Sequence, residues 1–305
     1  MSKFINPFTD WGFKHIFGKK EFLINFLNSL FEGEHVITDI RYLNNERLPE
    51  QIGMRKVIYD IFCETESGEH IIVEMQNRWQ EHFQDRALFY MSKSIVGQGI
   101  RSTEWNYKLM AVYGVFFTNF LLDREQTDHF CRDVMLIDRH TGKVFNRKFR
   151  QIYIELPRFL KRKEDCENFF ECWIYNLINM NKMDEISFKD KQEIFSRLEK
   201  VASQANLSDE ERARYEAEWK IYNDYFNTIE SAKKRANEEG REEGRAEGRA
   251  EGREEGRAEG RAEGRAEGEL KAKIESARKM KAMNFPTETI CQITGLSLEE
   301  IKDIQ

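Results

Sequence analysis

The stretch YDIFCETESGEHIIVEMQ, residues 59–76, contains two apolar runs separated by the turn residues Ser67 and Gly68. Runs of β-branched and aromatic residues on either side of a glycine-containing turn predict a β-hairpin. In a hairpin centred on Ser67, Asp60 faces Glu74 across the two strands, with their Cβ atoms ~5 Å apart. The stretch therefore predicts two opposed carboxylates in neighbouring strands.

Both faces of these predicted strands are apolar. Ile58 and Phe62 share a face with Asp60, Ile72 lies beside Glu74, and the opposite face is apolar as well. Such strands are typical of a sheet that is covered on both sides. Two like charges opposed in a partly buried sheet repel each other, so either the pKa of one carboxyl rises or a cation joins the two. Mg²⁺ prefers oxygen ligands and fits such a pair. The alternative is a hairpin that carries both carboxylates at its solvent edge.

The segments YDI at residues 59–61 and IVEMQ at 72–76 resemble the active-site motif of the PD-(D/E)XK nuclease superfamily. Gln76 stands where that motif usually has Lys. Further stretches resemble one branch of the superfamily, the Rpn recombination-promoting nucleases, also called PD-(D/E)XK family transposases. These stretches are NPFTDWGFKHIFG at 6–18, RALFYMS at 86–92, YKLMAV at 107–112, IELP at 154–157 and a Gly-rich charged repeat near the C-terminus.

This resemblance implies an α/β fold, namely a restriction-endonuclease-like core whose mixed sheet is flanked by helices. It also implies a transposase-related, recombination-promoting endonuclease that hydrolyses phosphodiester bonds in DNA with Mg²⁺ or Mn²⁺. Asp60 and Glu74 would bind the metal, which lowers the pKa of a bound water and stabilises charge on the attacked phosphate. Gln76 lacks the charge of the family Lys, so it is left to orient the water or to help hold the metal.

The missing positive charge would come from a helix, and Lys14, Arg86 and Lys93 are the candidates. Two further residues, Asp10 and Tyr90, complete the candidate site. Each has a structural alternative. Asp10 would otherwise cap a helix that begins one residue later. Arg86 and Tyr90 would otherwise support the fold, and Trp79 and Phe83 are predicted to be packing residues.

Composition agrees with a cytoplasmic protein that does not enter a membrane. With 305 residues, 40% of them hydrophobic, the chain can bury one core and carry appendages. Its five cysteines form neither a Cys-x-x-Cys pair nor a disulfide framework, and its six histidines lack zinc-ligand spacing. A reducing compartment follows. The N-terminus lacks a signal pattern, and the longest apolar run, 109–117, is too short to span a bilayer.

The net charge is −6, and the acidic excess lies mainly in the C-terminal tail. A nearly neutral core can still bind DNA through a local basic patch. The densest basic cluster consists of Lys143, Arg147, Lys148 and Arg150. A solvated face is the alternative for this cluster.

Periodicity predicts helices over 21–31 and 84–96, strands over 109–117 and 144–154, and mostly helical segments over 164–180 and 189–230. We expect four parts along the chain. They are a nuclease-like core at 1–160, a helical region at 161–237, a Glu-Gly-Arg repeat at 238–269 and a small helical unit at 270–305.

The repeat has a glycine at every fourth residue from Gly240 to Gly268, each preceded by Glu. Each glycine costs ~1 kcal/mol relative to Ala in a helix. The segment is therefore either a flexible spacer or a set of glycine-faced helices that pack closely in an oligomer.

The final segment shows two helix signals. Thr287 is placed to cap a helix that ends at Gly295, and Ser297 with Glu300 forms a capping-box pattern. The pair resembles two helices of a helix-turn-helix, but the second helix is acidic and unsuited to a DNA groove. We expect this tail to mediate self-association into a homo-oligomer.

Two other functional classes compete with the endonuclease. A catalytically silent DNA-binding or assembly protein, derived from such a nuclease, would explain Gln76 and the acidic balance. A structural protein built around the repeat is the third hypothesis.

Overall fold

The computed structural model describes residues 2–47, 57–99, 106–123 and 129–304. These residues belong to two compact units, Met1–Asp224 and Tyr225–Gln305. The strands are β1 Ile40–Tyr42, β2 Glu46–Arg47, β3 Val57–Ile58, β4 Ile61–Thr65, β5 His70–Gln76, β6 Val112–Thr118, β7 Cys131–Ile137 and β8 Val144–Glu155. The α-helices are α1 Asp10–Phe17, α2 Lys20–Leu30, α3 Phe83–Val96, α4 Phe169–Asn179, α5 Glu193–Ala202, α6 Asp209–Ala282, α7 Thr287–Thr294 and α8 Leu298–Asp303.

Within the described residues, six strands form one mixed sheet in the order β1-β4-β5-β6-β8-β7. The central strands β5, β6 and β8 are parallel, and the flanking pairs are antiparallel. The parallel β5–β6 connection passes through α3, as a crossover requires. Strands β2 and β3 form a separate two-stranded sheet. The predicted α/β core with a mixed sheet is confirmed.

Apolar layers cover both faces of the sheet. On one face, Ile71 and Phe117 pack with side chains of α1, α2, α4 and α5, including the fully buried Trp173. On the other face, Phe62 and Phe116 pack against α3. This two-sided burial explains why the strands around Asp60 and Glu74 are apolar on both faces.

The helices that follow residue 160 share the core of the sheet. Trp173 of α4 and Phe195 of α5 lie in the same buried cluster as Phe17 of α1, and the rings of Phe17 and Trp173 are 6.2 Å apart. The compact unit accordingly runs to Asp224. The finer division of the chain into four parts stays a prediction.

The start of α1 depends on a close approach of two backbone segments. Thr9 caps the helix by accepting a hydrogen bond from the Gly12 amide, and its hydroxyl donates to the Asn6 carbonyl. A Cβ on Gly12 would lie 2.2 Å from the Asn6 carbonyl oxygen, so only glycine fits. The alternative in which Asp10 caps this helix is wrong. Asp10 is the first helical residue, because the hydroxyl of Thr9 already meets the free amide.

Several elements differ from expectation. The first strand of the predicted hairpin, on which Ile58, Asp60 and Phe62 were placed together, divides into β3 and β4, with a bend at Asp60. The α-helix within the 164–180 segment begins only at Phe169. Trp79, expected in the core, is 62% exposed, whereas Phe83 is 4% exposed and packs as predicted.

The second unit contains α6 from Tyr225 onward, which is most of that helix, together with α7 and α8. The glycine repeat lies within α6 and is helical, whereas the close packing of such helices in an oligomer stays a prediction. Ala277, Ile290, Leu296, Ile301 and Ile304 form the small buried cluster of this unit.

The sequence predicted the end of α7 and the start of α8 correctly, but not the residue that precedes α7. Gly295 ends α7 in the left-handed conformation, and the capping box of Ser297 and Glu300 starts α8. Thr287 was expected as a cap, but it is the first helical residue and Pro286 precedes it.

None of the helices in the described ranges has the length and apolar character that crossing a bilayer demands.

Candidate active site

Asp60 lies where the chain leaves the small sheet and enters the large one. The backbone amide of Tyr59 donates to the Asn45 carbonyl over 3.0 Å, and the Asn45 side-chain amide donates to the Asp60 carbonyl over 2.9 Å. Asn45 therefore fixes the backbone at the bend. The adjacent hairpin has the predicted register, with Ile61 opposite Val73.

The backbone pairing of β4 and β5 ends at Ile61. Beyond it, hydrogen bonds to the side chains of Asp60 and Glu74 connect the two chain segments. The backbone amide of Asp60 donates to Glu74 Oε1 over 3.1 Å. In return, the backbone amide of Met75 donates to Asp60 Oδ2 over 2.8 Å. These two bonds hold the carboxylates next to each other at the end of the hairpin, as the register predicts.

The two carboxyl groups are poorly solvated. Glu74 is 5% exposed, and Asp60 is partly buried. Burial raises the pKa of Asp60, although the hydrogen bond from Met75 and the charge of Lys14 oppose the shift. Burial and the neighbouring charge of Asp60 raise the pKa of Glu74. A proton or a cation is therefore needed to stabilise this pair at neutral pH.

Arg86 of α3 reaches the pair from the helical side. Its Nη2 lies 3.8 Å from Glu74 Oε2. Nη1 lies 3.3 Å from Gln76 Oε1 and 3.0 Å from Gln80 Oε1. The guanidinium carbon lies 4.8 Å from the centre of the Tyr90 ring. The structure thus brings Arg86, Gln76 and Tyr90 together beside Glu74.

Lys14 of α1 acts on the same pair through its charge, which lowers the pKa of both carboxyl groups. Its Nζ lies 2.7 Å from Asp10 Oδ1. Burial lowers the pKa of Lys14, but the hydrogen bond and charge of Asp10, with smaller contributions from Asp60 and Glu74, raise it above its ordinary value. The Asn77 side chain donates to the Phe8 carbonyl over 2.6 Å and so ties the segment before α1 to the end of β5.

The other predicted basic residues do not join the site. The Nζ of Lys93 lies 5.6 Å from the Phe89 ring centre, and no contact within the described residues links Lys93 to Asp60 or Glu74. In the basic cluster, Arg150 is buried and binds Glu34 and Asp133. Lys148 donates to the Leu109 carbonyl over 2.8 Å.

The donor set suits a hard divalent cation. Asp60 Oδ1 has no hydrogen-bond partner among the described residues, and Glu74 Oε2 has only the 3.8 Å approach of Arg86. Two carboxylate oxygens are typical protein ligands of Mg²⁺, which keeps several of its waters. Across the described ranges, no group of three or more His, Cys, Asp or Glu side chains is placed to hold a metal.

Asn45 and Gln80 belong to the site and were missed by the sequence analysis. Asn45 contacts a residue 15 positions away along the chain. Gln80 lies six positions before Arg86, in a segment without periodicity. A local pattern does not reveal either contact, because each depends on how separate elements pack.

Comparison with known proteins agrees with this geometry. The family model described as PD-(D/E)XK nuclease family transposase matches residues 7–232, which include α1, the Asp60–Glu74 pair, α3 and the rest of the sheet. No curated protein and no solved structure matches the chain. The match covers well over half of the sequence and confirms the resemblance seen in the motifs. The chain therefore belongs to the PD-(D/E)XK nuclease family transposases.

Proposed function

We propose that this protein is a metal-dependent DNA endonuclease that hydrolyses phosphodiester bonds and promotes recombination. The observation that carries the proposal is the reciprocal hydrogen bonding of Asp60 and Glu74, which keeps two carboxylates together in a poorly solvated place. Their raised pKa values indicate that two negative charges are disfavoured at this place, and a bound cation would neutralise them. Membership in a nuclease family supports the same conclusion.

When bound, Mg²⁺ or Mn²⁺ would lower the pKa of a water and would bring positive charge to the attacked phosphate. Asp60 and Glu74 would hold this ion. Lys14, at the edge of the pair, would attract a DNA phosphate, and Asp10 would keep its ammonium group in place over 2.7 Å. Trp79, largely exposed and three residues after Gln76, offers a ring on which a base can stack.

We further propose that the C-terminal tail assembles copies of the chain in the cytoplasm. Among the described residues of the second unit, five large apolar side chains are exposed, namely Leu270, Met283, Phe285, Ile293 and Leu298. The Glu and Arg residues of the repeat pair best between neighbouring helices. All five cysteines are free, which agrees with a reducing compartment.

The test is cleavage of supercoiled plasmid by the purified protein with Mg²⁺ and with EDTA. We expect nicking or linearisation that needs the metal. Asp60→Asn and Glu74→Gln keep the hydrogen-bond acceptors but remove the charges, so both variants should lose cleavage and keep the fold. Glu32→Gln changes an exposed carboxylate of the same unit and is the matched control, which should cut like the parent.

Two outcomes would contradict the proposal. Cleavage by Asp60→Asn and Glu74→Gln at the parental rate would show that the site lies elsewhere. A folded parent that binds DNA without cutting it would favour the catalytically silent assembly protein, for which Gln76 is the specific argument.

A further inference from the structure

We propose that Gln76 is a positioning residue that holds Arg86 beside the carboxylate pair, and that Arg86 supplies the positive charge of the site from helix α3. This inference rests on the proposed nuclease function. It gives Gln76 a defined task, in place of the water-orienting or metal-holding roles considered from sequence.

The side-chain amide of Gln76 has a fixed orientation. Its Nε2 donates to the Arg78 carbonyl over 2.9 Å. Because the nitrogen is engaged there, Oε1 points away from Arg78 and accepts from Arg86 Nη1 over 3.3 Å. Gln76 therefore presents an acceptor, and not a donor, to the guanidinium group.

Two more contacts restrict Arg86. Gln80 Oε1 accepts from the same Nη1 over 3.0 Å, and the Tyr90 ring lies 4.8 Å from the guanidinium carbon. The second terminal nitrogen, Nη2, remains on the side of Glu74, 3.8 Å from Oε2. That distance is within ion-pair range but too long for a hydrogen bond. The charge is thus held near the carboxylate without occupying its oxygen.

This arrangement distinguishes Arg86 from the other cations. Lys14 is already bonded to Asp10 over 2.7 Å, and Lys93 lies on the Phe89 ring. A lysine at position 76 would remove the acceptor for Arg86 and bring a second cation to it. Gln76 and Arg86 are therefore complementary, and a lysine at 76 is compatible with the site when Arg86 is absent.

Single and double substitutions at positions 76 and 86 test this complementarity in the full-length protein. We expect Arg86→Gln to cut plasmid about 100-fold more slowly, as for loss of one group that stabilises transition-state charge. The double variant Gln76→Lys with Arg86→Gln should regain cleavage to within about tenfold of the parent. Gln76→Leu should slow the parent by about tenfold but have little effect in the Arg86→Gln background, because the two residues act as one unit.

Mn²⁺ binding, measured by calorimetry, gives a readout independent of cleavage. Removing a cation beside Glu74 should strengthen Mn²⁺ binding, so Arg86→Gln should bind about tenfold more tightly and the double variant should return towards the parent. Lys182→Gln changes an exposed basic residue of the same unit that has no part in the site, so it is the control and should match the parent. A purely structural role of Arg86 would leave Mn²⁺ affinity unchanged and cleavage unrescued, and that result would overturn the inference. If the parent does not cut, the nuclease proposal fails. The Mn²⁺ affinities of the variants then still test whether Arg86 places its charge beside Glu74.

Discussion

The backbone amide of Asp60 donates a hydrogen bond of 3.1 Å to Oε1 of Glu74. The carboxylate of Asp60 is bonded in turn to the amide that follows Glu74. Two acidic side chains are thereby held together by the backbone, although their charges repel. The stability of the protein should for this reason respond to pH and to divalent ions.

In EDTA, the melting temperature should fall as the pH rises from about 5 to about 8. The raised pKa values of Asp60 and Glu74 mean that the folded state retains protons that the unfolded state releases, so stability is lost through this window. Mn²⁺ should restore stability most at the higher pH, where the carboxylates are ionised. Scanning calorimetry would measure both effects. Glu74→Gln is the control, and an unchanged pH slope in that variant would contradict the assignment.

Gly12→Ala should destabilise the first unit by at least about 2 kcal/mol, because the added methyl group meets the Asn6 carbonyl oxygen at 2.2 Å. Urea unfolding followed by far-ultraviolet circular dichroism, which reports the helices of both units, would measure the loss. The matched change is Gly244→Ala in the repeat, where nothing lies within 4 Å of the added Cβ. That variant should unfold no earlier than the parent. Equal losses in both variants would argue against the close approach at Asn6.

Trp79→Ala and Phe83→Ala should differ strongly in stability. Phe83 is 4% exposed and contacts Phe116, Phe120 and Tyr153, so its truncation should cost about 3–5 kcal/mol. Trp79 is 62% exposed, and its loss should change stability by less than about 0.5 kcal/mol. Denaturant titration checks both values. If Trp79→Ala also weakens binding to single-stranded DNA, the stacking role is supported, and unchanged binding would exclude it.

Deleting residues 239–305 should abolish self-association and preserve metal-dependent cleavage. The compact unit that holds Asp60 and Glu74 ends at Asp224, so the deletion leaves its core complete. Sedimentation and plasmid cleavage, measured on the same preparation, separate the two functions. A truncated chain that still assembles would contradict the role of the tail.

The carboxylate pair was predictable because a hairpin is local. A turn at Ser67 and Gly68 fixes the register, and the register alone places Asp60 opposite Glu74. The apolar character of both strands was equally informative, since it indicated a sheet covered on two sides. Contacts within one turn or one helix, such as the Ser297–Glu300 capping box, were found for the same reason.

The remainder of the site depends on tertiary packing. Asn45 reaches Asp60 from the bend between β1 and β2, and Lys14 acts on Asp60 through its charge, from a helix near the N-terminus. Trp79 shows that residue type alone does not predict burial. This aromatic residue in a short connection was expected in the core but lies in solvent. The break between β3 and β4 was not visible either, because the apolar run continues through Asp60.

The bend at Asp60 also bears on how such proteins diverge. The bonds from the Asp60 and Met75 amides need only a side-chain oxygen at positions 60 and 74, and Asn and Gln supply one as well as Asp and Glu do. A single-nucleotide change converts Asp to Asn, or Glu to Gln. A descendant gene can therefore lose the chemistry in one mutational step while it inherits an intact scaffold, free for selection to use in another role.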